Sequence, residues 1–355
     1  MNLTLHLTDN CNMDCSYCIR NKCPHDMSEE VLYKACDLAF SRGKRAGLCF
    51  FGGEPLLRKD LIYKALDYCE AKASESKMRF DCKMTTNGTL LDEEFLERAV
   101  RSKMVIGLSF DGKAQDICRR FAGKDRTPSS GIVRSKAEML LKYLPDSVAM
   151  ATIAPQAVPY YSESVKYLHD IGFRRMSIVI AYGHKVTWTD DNLELLREEL
   201  DKTCTYLKEL FLKGDMFAVT PIDSKISECI SGRNPAHKCH LGVRQMPVTP
   251  SGELYPCTSF IGDREYLLGN VFDGVDEEKV AQIASRSATP ETCRECDLVT
   301  RCTNSCGCSN RMNTGDENKV SPLQCTYERM LISASDSLGE ELYRADPEAF
   351  RRKYS

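Results

Sequence analysis

Short apolar, β-branched runs alternate with longer amphipathic stretches through the first half of the chain. LTLHL at 3–7, GLCFF at 47–51, RFDCKMTT at 79–86, MVIGLSF at 104–110, SVAMATI at 147–153 and RMSIVIA at 175–181 predict six strands. Helical stretches separate them. Ser28 is placed to cap a helix running to about Arg42, with Glu29 and Glu30 in the first turn where they suit the macrodipole. A helix is predicted near 57–73, and Asp92 caps another in which Leu96 and Val100 share a face. Further helices are predicted over 132–144 and 159–171. Six strand–helix alternations predict parallel βαβ units of the α/β class, with function at the C-terminal strand ends. Six units are too few to close an ordinary eight-stranded barrel, so an open, partial (β/α)6 barrel is expected over residues 1–215. A longer helix over 190–213 leads out of it. From 216 to 325 Gly, Pro and Cys rise, periodicity fades and short turns dominate, so this segment needs staples. Residues 326–355 carry a charged helical pattern that predicts a C-terminal helix with a solvated tail.

Bulk composition narrows the class. With 355 residues the chain is long enough for a sizeable core, and a net charge of −3 offers no electrostatic reason to expect nucleic acid or an anionic membrane. No apolar run approaches the roughly 20 residues that span a bilayer, and MNLTLHLTDNC lacks the pattern of a secretory signal. A cytoplasmic location is expected. Nineteen cysteines in an unexported chain do not read as a disulfide framework, so metal ligation in a reducing, anoxic cell is the better account. Ten of them fall into two spaced sets. Most of the other nine (Cys23, Cys36, Cys49, Cys69, Cys82, Cys118, Cys204, Cys229, Cys308) read as small buried hydrophobes.

The first set is Cys11, Cys15 and Cys18 in CNMDCSYC, in the loop after the first predicted strand. A C-x3-C-x2-C triplet gives three thiolates to a cluster of four irons and leaves one iron open. A structural zinc site would need four protein donors. After the second strand comes Gly52-Gly53-Glu54-Pro55, where two glycines allow close backbone approach to a ligand and Glu54 can accept from an ammonium. CNMDCSYC and GGEP, with TTNGTLLDEE (85–94) and LSFDG (108–112), resemble the radical S-adenosylmethionine (SAM) superfamily over roughly residues 1–185.

The resemblance implies that SAM chelates the open iron through its amino and carboxylate groups, and that one electron from the cluster yields a 5′-deoxyadenosyl radical that abstracts a substrate hydrogen. It implies that Cys11, Cys15 and Cys18 hold the cluster and that Gly52, Gly53 and Glu54 meet the methionyl amine. Tyr17 takes the aromatic position near the adenine. Ser109 matches a position contacting the ribose or carboxylate, although Ser109 and Asp111 also suit a plain strand end and turn. Arg119 and Arg120 are the candidates for the SAM carboxylate. A reductant such as flavodoxin or ferredoxin is the implied electron donor.

The second set reads Cys239-x12-Gly252-x4-Cys257, then Cys293-x2-Cys296-x5-Cys302-x3-Cys306-x18-Cys325. It resembles the SPASM domain, the seven-cysteine Fe–S appendage of peptide- and protein-modifying radical SAM enzymes, while a pair of zinc ribbons is the plainer alternative. The resemblance implies two auxiliary [4Fe–4S] clusters, three clusters in all. Cys239, Cys257 and Cys306 belong to the first, and Cys293, Cys296, Cys302 and Cys325 to the second. A fourth ligand of the first is left open. Cys229 is one candidate and an ordinary buried thiol the alternative, Cys308 is another, and His237 and His240 flank Cys239.

Two branches fit. Anaerobic sulfatase maturases oxidise Cys or Ser in a partner protein to formylglycine and carry an aspartate directly after the YPC cysteine, where this chain has Thr258, with Asp263 further on. Maturases of ribosomally made peptides install thioether or carbon–carbon crosslinks, and YPCTSFIGDREYLLGNV (255–271) resembles these more closely. Many of those begin with a leader-recognition domain. Here the first strand comes at once, so the leader is expected to be held by a separate protein or by the barrel itself. A non-catalytic Fe–S or zinc scaffold is the alternative of another class.

Overall fold

The computed structural model describes residues 1–232, 241–243, 245–286, 289–304 and 306–354. Each of the six predicted strands forms: β1 (Asn2–His6), β2 (Arg45–Phe51), β3 (Arg79–Thr86), β4 (Val105–Ser109), β5 (Val148–Ile153) and β6 (Arg175–Ile180). Between them lie α1 (Glu29–Phe40), α2 (Lys59–Ser76), α3 (Glu93–Arg101), the single turn α4 (Gln115–Cys118), α5 (Ser130–Tyr143) and α6 (Tyr161–Ile171). Ser28 caps α1 by accepting the Val31 N–H, and Asp92 caps α3 through Phe95. On α3 the buried face is Phe95, Leu96 and Ala99, while Val100 is exposed. The expected sharing of a face by Leu96 and Val100 is corrected: the buried stripe runs from Phe95 through Ala99 to Leu96, and Val100 lies beyond its edge.

β1 to β6 pair in sequence order and in parallel. After the long helix α7 (Asp190–Leu212), β7 (Ala218–Thr220) adds in parallel to β6, and α8 (Ile222–Ser231) follows. Regular structure therefore continues past 215, where fading periodicity predicts turns; three residues of strand are too few to carry a period. The opposite edge of the sheet is completed by β8 (Met246–Val248), parallel to β1, then by β9 (Glu253–Leu254), β10 (Gly269–Asn270) and β11 (Gly274–Val275), all antiparallel. The sheet ends in β7 on one side and β11 on the other, an open partial barrel as expected.

Helices cover one face of this sheet and bury Leu3, Leu5, Leu48, Phe50, Ile106 and Leu108. The other face is less covered along β3, β5 and β6, whereas Thr4, His6 and Cys49 on β1 and β2 are buried. Burial alternates along β3, β5 and β6, so Lys83, Thr85, Met150, Thr152, Ser177 and Val179 are half-buried or exposed. Parallel sheets ordinarily bury both faces, so this alternation marks space.

α9 (Glu277–Arg286), α10 (Gly307–Thr314), α11 (Pro322–Ala345) and α12 (Pro347–Tyr354) complete the described chain. α11 packs against α7 and α8. The tail expected to be solvated is instead α12, which buries Ala349, Phe350 and Tyr354, donates from Tyr354 Oη to Asp223 (2.8 Å) and from Lys353 Nζ to the Phe217 carbonyl (2.8 Å). Glu348, Arg351 and Arg352 are exposed, whereas the Lys353 side chain turns to the buried side with Phe350 and Tyr354. No described helix is long and apolar enough to cross a membrane.

Candidate cluster and cofactor site

The Cys11–Cys18 loop leaves the C-terminal end of β1 and is held on two sides by main-chain hydrogen bonds. Asp14 N donates to the Arg120 carbonyl (2.8 Å), Ser16 N to Cys118 (2.9 Å), and Ala122 N to Asn12 (2.9 Å). Met13 is 1% exposed and anchors the loop in the core. On the other side, Gly53 N donates to the Thr8 carbonyl (2.8 Å) and Glu54 N to Asn10 (2.9 Å). A Cβ at Gly53 would stand 1.9 Å from the Asn10 carbonyl oxygen, and one at Gly52, whose φ is +132°, 2.5 Å from that of Thr8. The two glycines thus let the end of β2 press against the cluster loop; close approach to a ligand is not what their bareness first serves.

Glu54 is buried, and its carboxylate joins two strand ends. Oε1 accepts from Leu56 N (3.0 Å) and Thr86 Oγ1 (2.6 Å), and Oε2 from Asn87 N (2.8 Å). Burial pushes its pKa up from 4.5 to about 7, against the pull of these donors. With two lone pairs per oxygen, Oε2 keeps room for one further donor. Asn87 also reaches into the loop: its Nδ2 donates to Asn12 Oδ1 (2.8 Å) and lies 4.0 Å from Cys11 Sγ.

Asp111 is the hub of the far side. It is fully buried after β4 and accepts from Tyr17 Oη (2.9 Å), Arg119 Nε (2.8 Å) and Thr152 N (2.8 Å). The Arg119 guanidinium also lies over the Tyr17 ring, 5.4 Å from its centroid. Burial opposes the charge of Arg119, yet Asp111 keeps it firmly protonated. Tyr17 and Arg119, named separately from the sequence, therefore meet through a carboxylate left out of the site assignment. Its signal was the aspartate within LSFDG, one strand end along from TTNG. Ser109 ends β4, half-buried. Arg120 is committed to backbone, donating to the carbonyls of Asp116 (2.8 Å) and Arg126 (3.1 Å).

Burial raises the Cys11 thiol to about 11 and moves the Cys15 thiol upward as well. Thiols held in such surroundings need a cation to become thiolates, which iron supplies. The donor set fits a thiolate-bound cluster.

In the C-terminal region, Cys293, Cys296, Cys302 and Cys325 line one small cavity, closed by Leu298, Val299 and Ile332. Arg329 Nη2 points at Cys296 Sγ (3.7 Å). A second thiol group joins Cys257, Cys306 and Cys308: Cys306 and Cys308 sulfurs are 3.3 Å apart, and the Cys257 thiol is pulled down chiefly by hydrogen bonding with Cys308. Cys229 is exposed and lies near Arg301, so the buried-thiol reading does not hold for it. Cys239, His237 and His240 lie outside the described residues. Among the described residues no three of His, Cys, Asp or Glu stand close enough to hold a single metal ion. Of the unspaced cysteines, Cys36, Cys49, Cys69, Cys82 and Cys118 are buried, as expected.

A model of the radical SAM superfamily matches residues 5–198, more than half of the chain. The chain belongs to the radical SAM superfamily. Membership implies a [4Fe–4S] cluster and SAM. An uncharacterized protein of Methanocaldococcus jannaschii is 32% identical over 49% of this radical SAM protein, which spans only 60% of that relative's length. A cysteine-type anaerobic sulfatase-maturating enzyme of Clostridium perfringens is 22% identical over 83% of the chain and 85% of its own. The PqqA peptide cyclase of Granulibacter bethesdensis is 27% identical over 97% and 94%. The solved structure of native anSMEcpe with bound AdoMet and Kp18Cys peptide superposes with a TM-score of 0.82 at 19% identity, covering 97% of this chain and all of that one, which shows the fold.

Proposed function

We propose that this radical SAM enzyme modifies a ribosomally made peptide, installing a thioether or carbon–carbon crosslink. The observation that carries the reading is at 257–263. Thr258 follows Cys257 where formylglycine formation calls for an aspartate, and the next carboxylate, Asp263, is committed to Arg311 and to the Glu265 N–H (3.1 Å). The PqqA peptide cyclase, whose likeness runs nearly end to end, supports peptide crosslinking. The open sheet face supports a peptide substrate too, since Met150 and Val179 offer apolar contact beside Lys83, Thr85 and Ser177. Formylglycine formation is the second reading, favoured by the sulfatase-maturating relative.

In this proposal residues 1–215 form the barrel unit, 216–325 the cluster-bearing appendage and 326–355 a closing helical segment. Cys11, Cys15 and Cys18 hold the first cluster. With SAM bound there, the pair supplies a radical able to abstract hydrogen. The chain's own part is to orient and to exclude water. Gly52 and Gly53 press the loop into place, and Glu54 Oε2 offers its remaining lone pair to the methionyl amine. Tyr17, fixed by Asp111, borders the adenine; Ser109 and Arg119 border the ribose and carboxylate. Cys239, Cys257 and Cys306 hold a first auxiliary cluster, and Cys293, Cys296, Cys302 and Cys325 a second. A separate leader-recognition protein and a flavodoxin- or ferredoxin-type donor complete the system.

Coexpression with a small cysteine-rich peptide encoded next to this chain, followed by mass spectrometry, is the test. A crosslink removes two hydrogens and joins two residues; formylglycine made from cysteine also exchanges sulfur for oxygen. An unmodified peptide under conditions that cleave SAM, with a neighbouring sulfatase modified instead, would select the second reading.

A further inference from the structure

We propose that the sheet face turned away from the helices selects a peptide segment carrying carboxylates, with Lys83 as the contact for a substrate Asp or Glu side chain. The inference rests on the peptide-modifying reading and names the chemical class of that peptide. Side chains alternate between the two faces of a strand, so β1 to β6 fix which charges stand on this face. Four cations do, Arg45, Arg79, Lys83 and Arg175, against one carboxylate, Asp81. His6 adds no charge there, because burial holds its pKa well below the usual imidazole value. Over the whole chain acidic residues outnumber Lys and Arg, 51 to 48, so the positive excess on this face comes from placement and not from composition.

The partners of these groups leave charge over. Asp81 is shared between two guanidiniums, accepting from Arg79 Nε (3.0 Å) and from Arg45 Nε, so that trio keeps one positive charge. Arg175 Nη2 donates to a neutral acceptor, the Asp146 carbonyl (3.0 Å). Lys83 Nζ reaches Gln245 Oε1 at 3.4 Å, and Gln245 in turn donates to Thr4. An ammonium carries three donors, so Lys83 keeps two for a ligand. Among the described residues no carboxylate pairs with Lys83 or Arg175, and both side chains are exposed. Lys83 follows Arg79 by four residues on β3, a separation of about 13 Å that two side chains four apart in an extended peptide would match. Met150 and Val179 give the same face apolar contact, which suits a peptide better than a polyphosphate. Such a face steers and aligns an acidic segment and repels a basic one.

The experiment uses the full chain, reconstituted anaerobically, and short dansyl-labelled peptides of Ala and Ser that carry Glu, Gln or Lys at the same two positions, four residues apart. Fluorescence anisotropy should show the Glu peptide binding about fivefold tighter than the Gln peptide, with the Lys peptide weakest. Salt at about 0.5 M should remove the preference. The Glu peptide should also slow acetylation of Lys83, read by mass spectrometry, and leave that of Lys142, exposed on α5, unchanged. Lys83→Gln should cut the preference to about twofold and Lys83→Glu should cancel it. Equal affinity of the parent for the Glu and Gln peptides, or a preference that both variants keep in full, would overturn the inference. A coexpressed peptide crosslinked as well by Lys83→Glu as by the parent sinks this inference and leaves the crosslinking reading standing. The full Glu preference, lost in Lys83→Glu, together with no crosslink in the coexpressed peptide supports this inference and sinks the crosslinking reading.

Discussion

Around Cys11, Cys15 and Cys18 the loop is gripped by main-chain hydrogen bonds to two other segments and anchored by Met13 in the core. Around Cys293, Cys296 and Cys302 the chain is a run of turns whose backbone-to-backbone hydrogen bonds are local, such as Cys296 N to Cys293 O (3.2 Å) and Cys302 N to Leu298 O (2.9 Å), its ties to the rest running through side chains such as Lys225 and Glu328, and no residue from 291 to 303 is fully buried. The first region has its geometry from the sheet, so a cluster there serves chemistry. The second has almost no core of its own, so whatever binds its thiols also holds it together. Small loop-rich segments commonly depend on metal in this way.

The strongest way to probe this contrast is Cys15→Ala, which should abolish SAM cleavage to 5′-deoxyadenosine while lowering iron by about a third. Thermal unfolding of its barrel should stay close to the parent's; a collapse of the barrel would show that the N-terminal loop depends on iron as well. Chelating all iron anaerobically should act the other way. Amides of 291–325 should exchange at least about 100-fold faster, equal to some 3 kcal/mol of lost protection, while those of β1 to β6 change little. Equal deprotection of both regions would erase the contrast.

Next comes Asp111→Ala, which leaves the Arg119 guanidinium buried without a partner and should cost about 3–5 kcal/mol in denaturant unfolding. The half-exposed Asp263–Arg311 pair of the C-terminal region should cost about 1 kcal/mol or less on Asp263→Ala. Comparable losses would mean that the Asp111 hub is wetter than its burial indicates.

Glu54 gives a smaller, pH-dependent difference. Its native pKa of about 7 lies above the ordinary 4.5, so the native state holds the extra proton between those values. The stabilisation is complete below about pH 4.5 and is lost as pH rises through about 7, up to about 3 kcal/mol. Relative to Glu54→Gln, the parent should lose stability between pH 5 and 8 in urea titrations; parallel curves would contradict the desolvation of Glu54. The smallest effect is expected from Arg329→Ala. Removing the guanidinium beside Cys296 should lower the reduction potential of the cluster proposed there, with iron content and SAM cleavage unchanged.

Local signals were enough for six strands, most helix bounds and both cysteine sets. Ser28 and Asp92 cap where short-range hydrogen bonding says they should, and Cys293, Cys296, Cys302 and Cys325, grouped by the family resemblance, line one cavity. Other features depended on partners distant in sequence. β7 and β8 are too short to read alone and exist because β6 and β1 have open edges. The open sheet face was written in the alternation of RFDCKMTT and RMSIVI, but a βαβ pattern ordinarily implies burial on both sides.

By itself, the sequence determined the class of chemistry, because ligand spacing and strand-end motifs are local and depend on residue type. Only the tertiary structure decided what the residues do for one another. It turned Gly52 and Gly53 toward the cluster loop, made Asp111 the link between Tyr17 and Arg119, and set Cys308 beside Cys257 and Cys306. Those outcomes follow from close packing between segments far apart in the chain, and packing of that kind has no signature in any one of them.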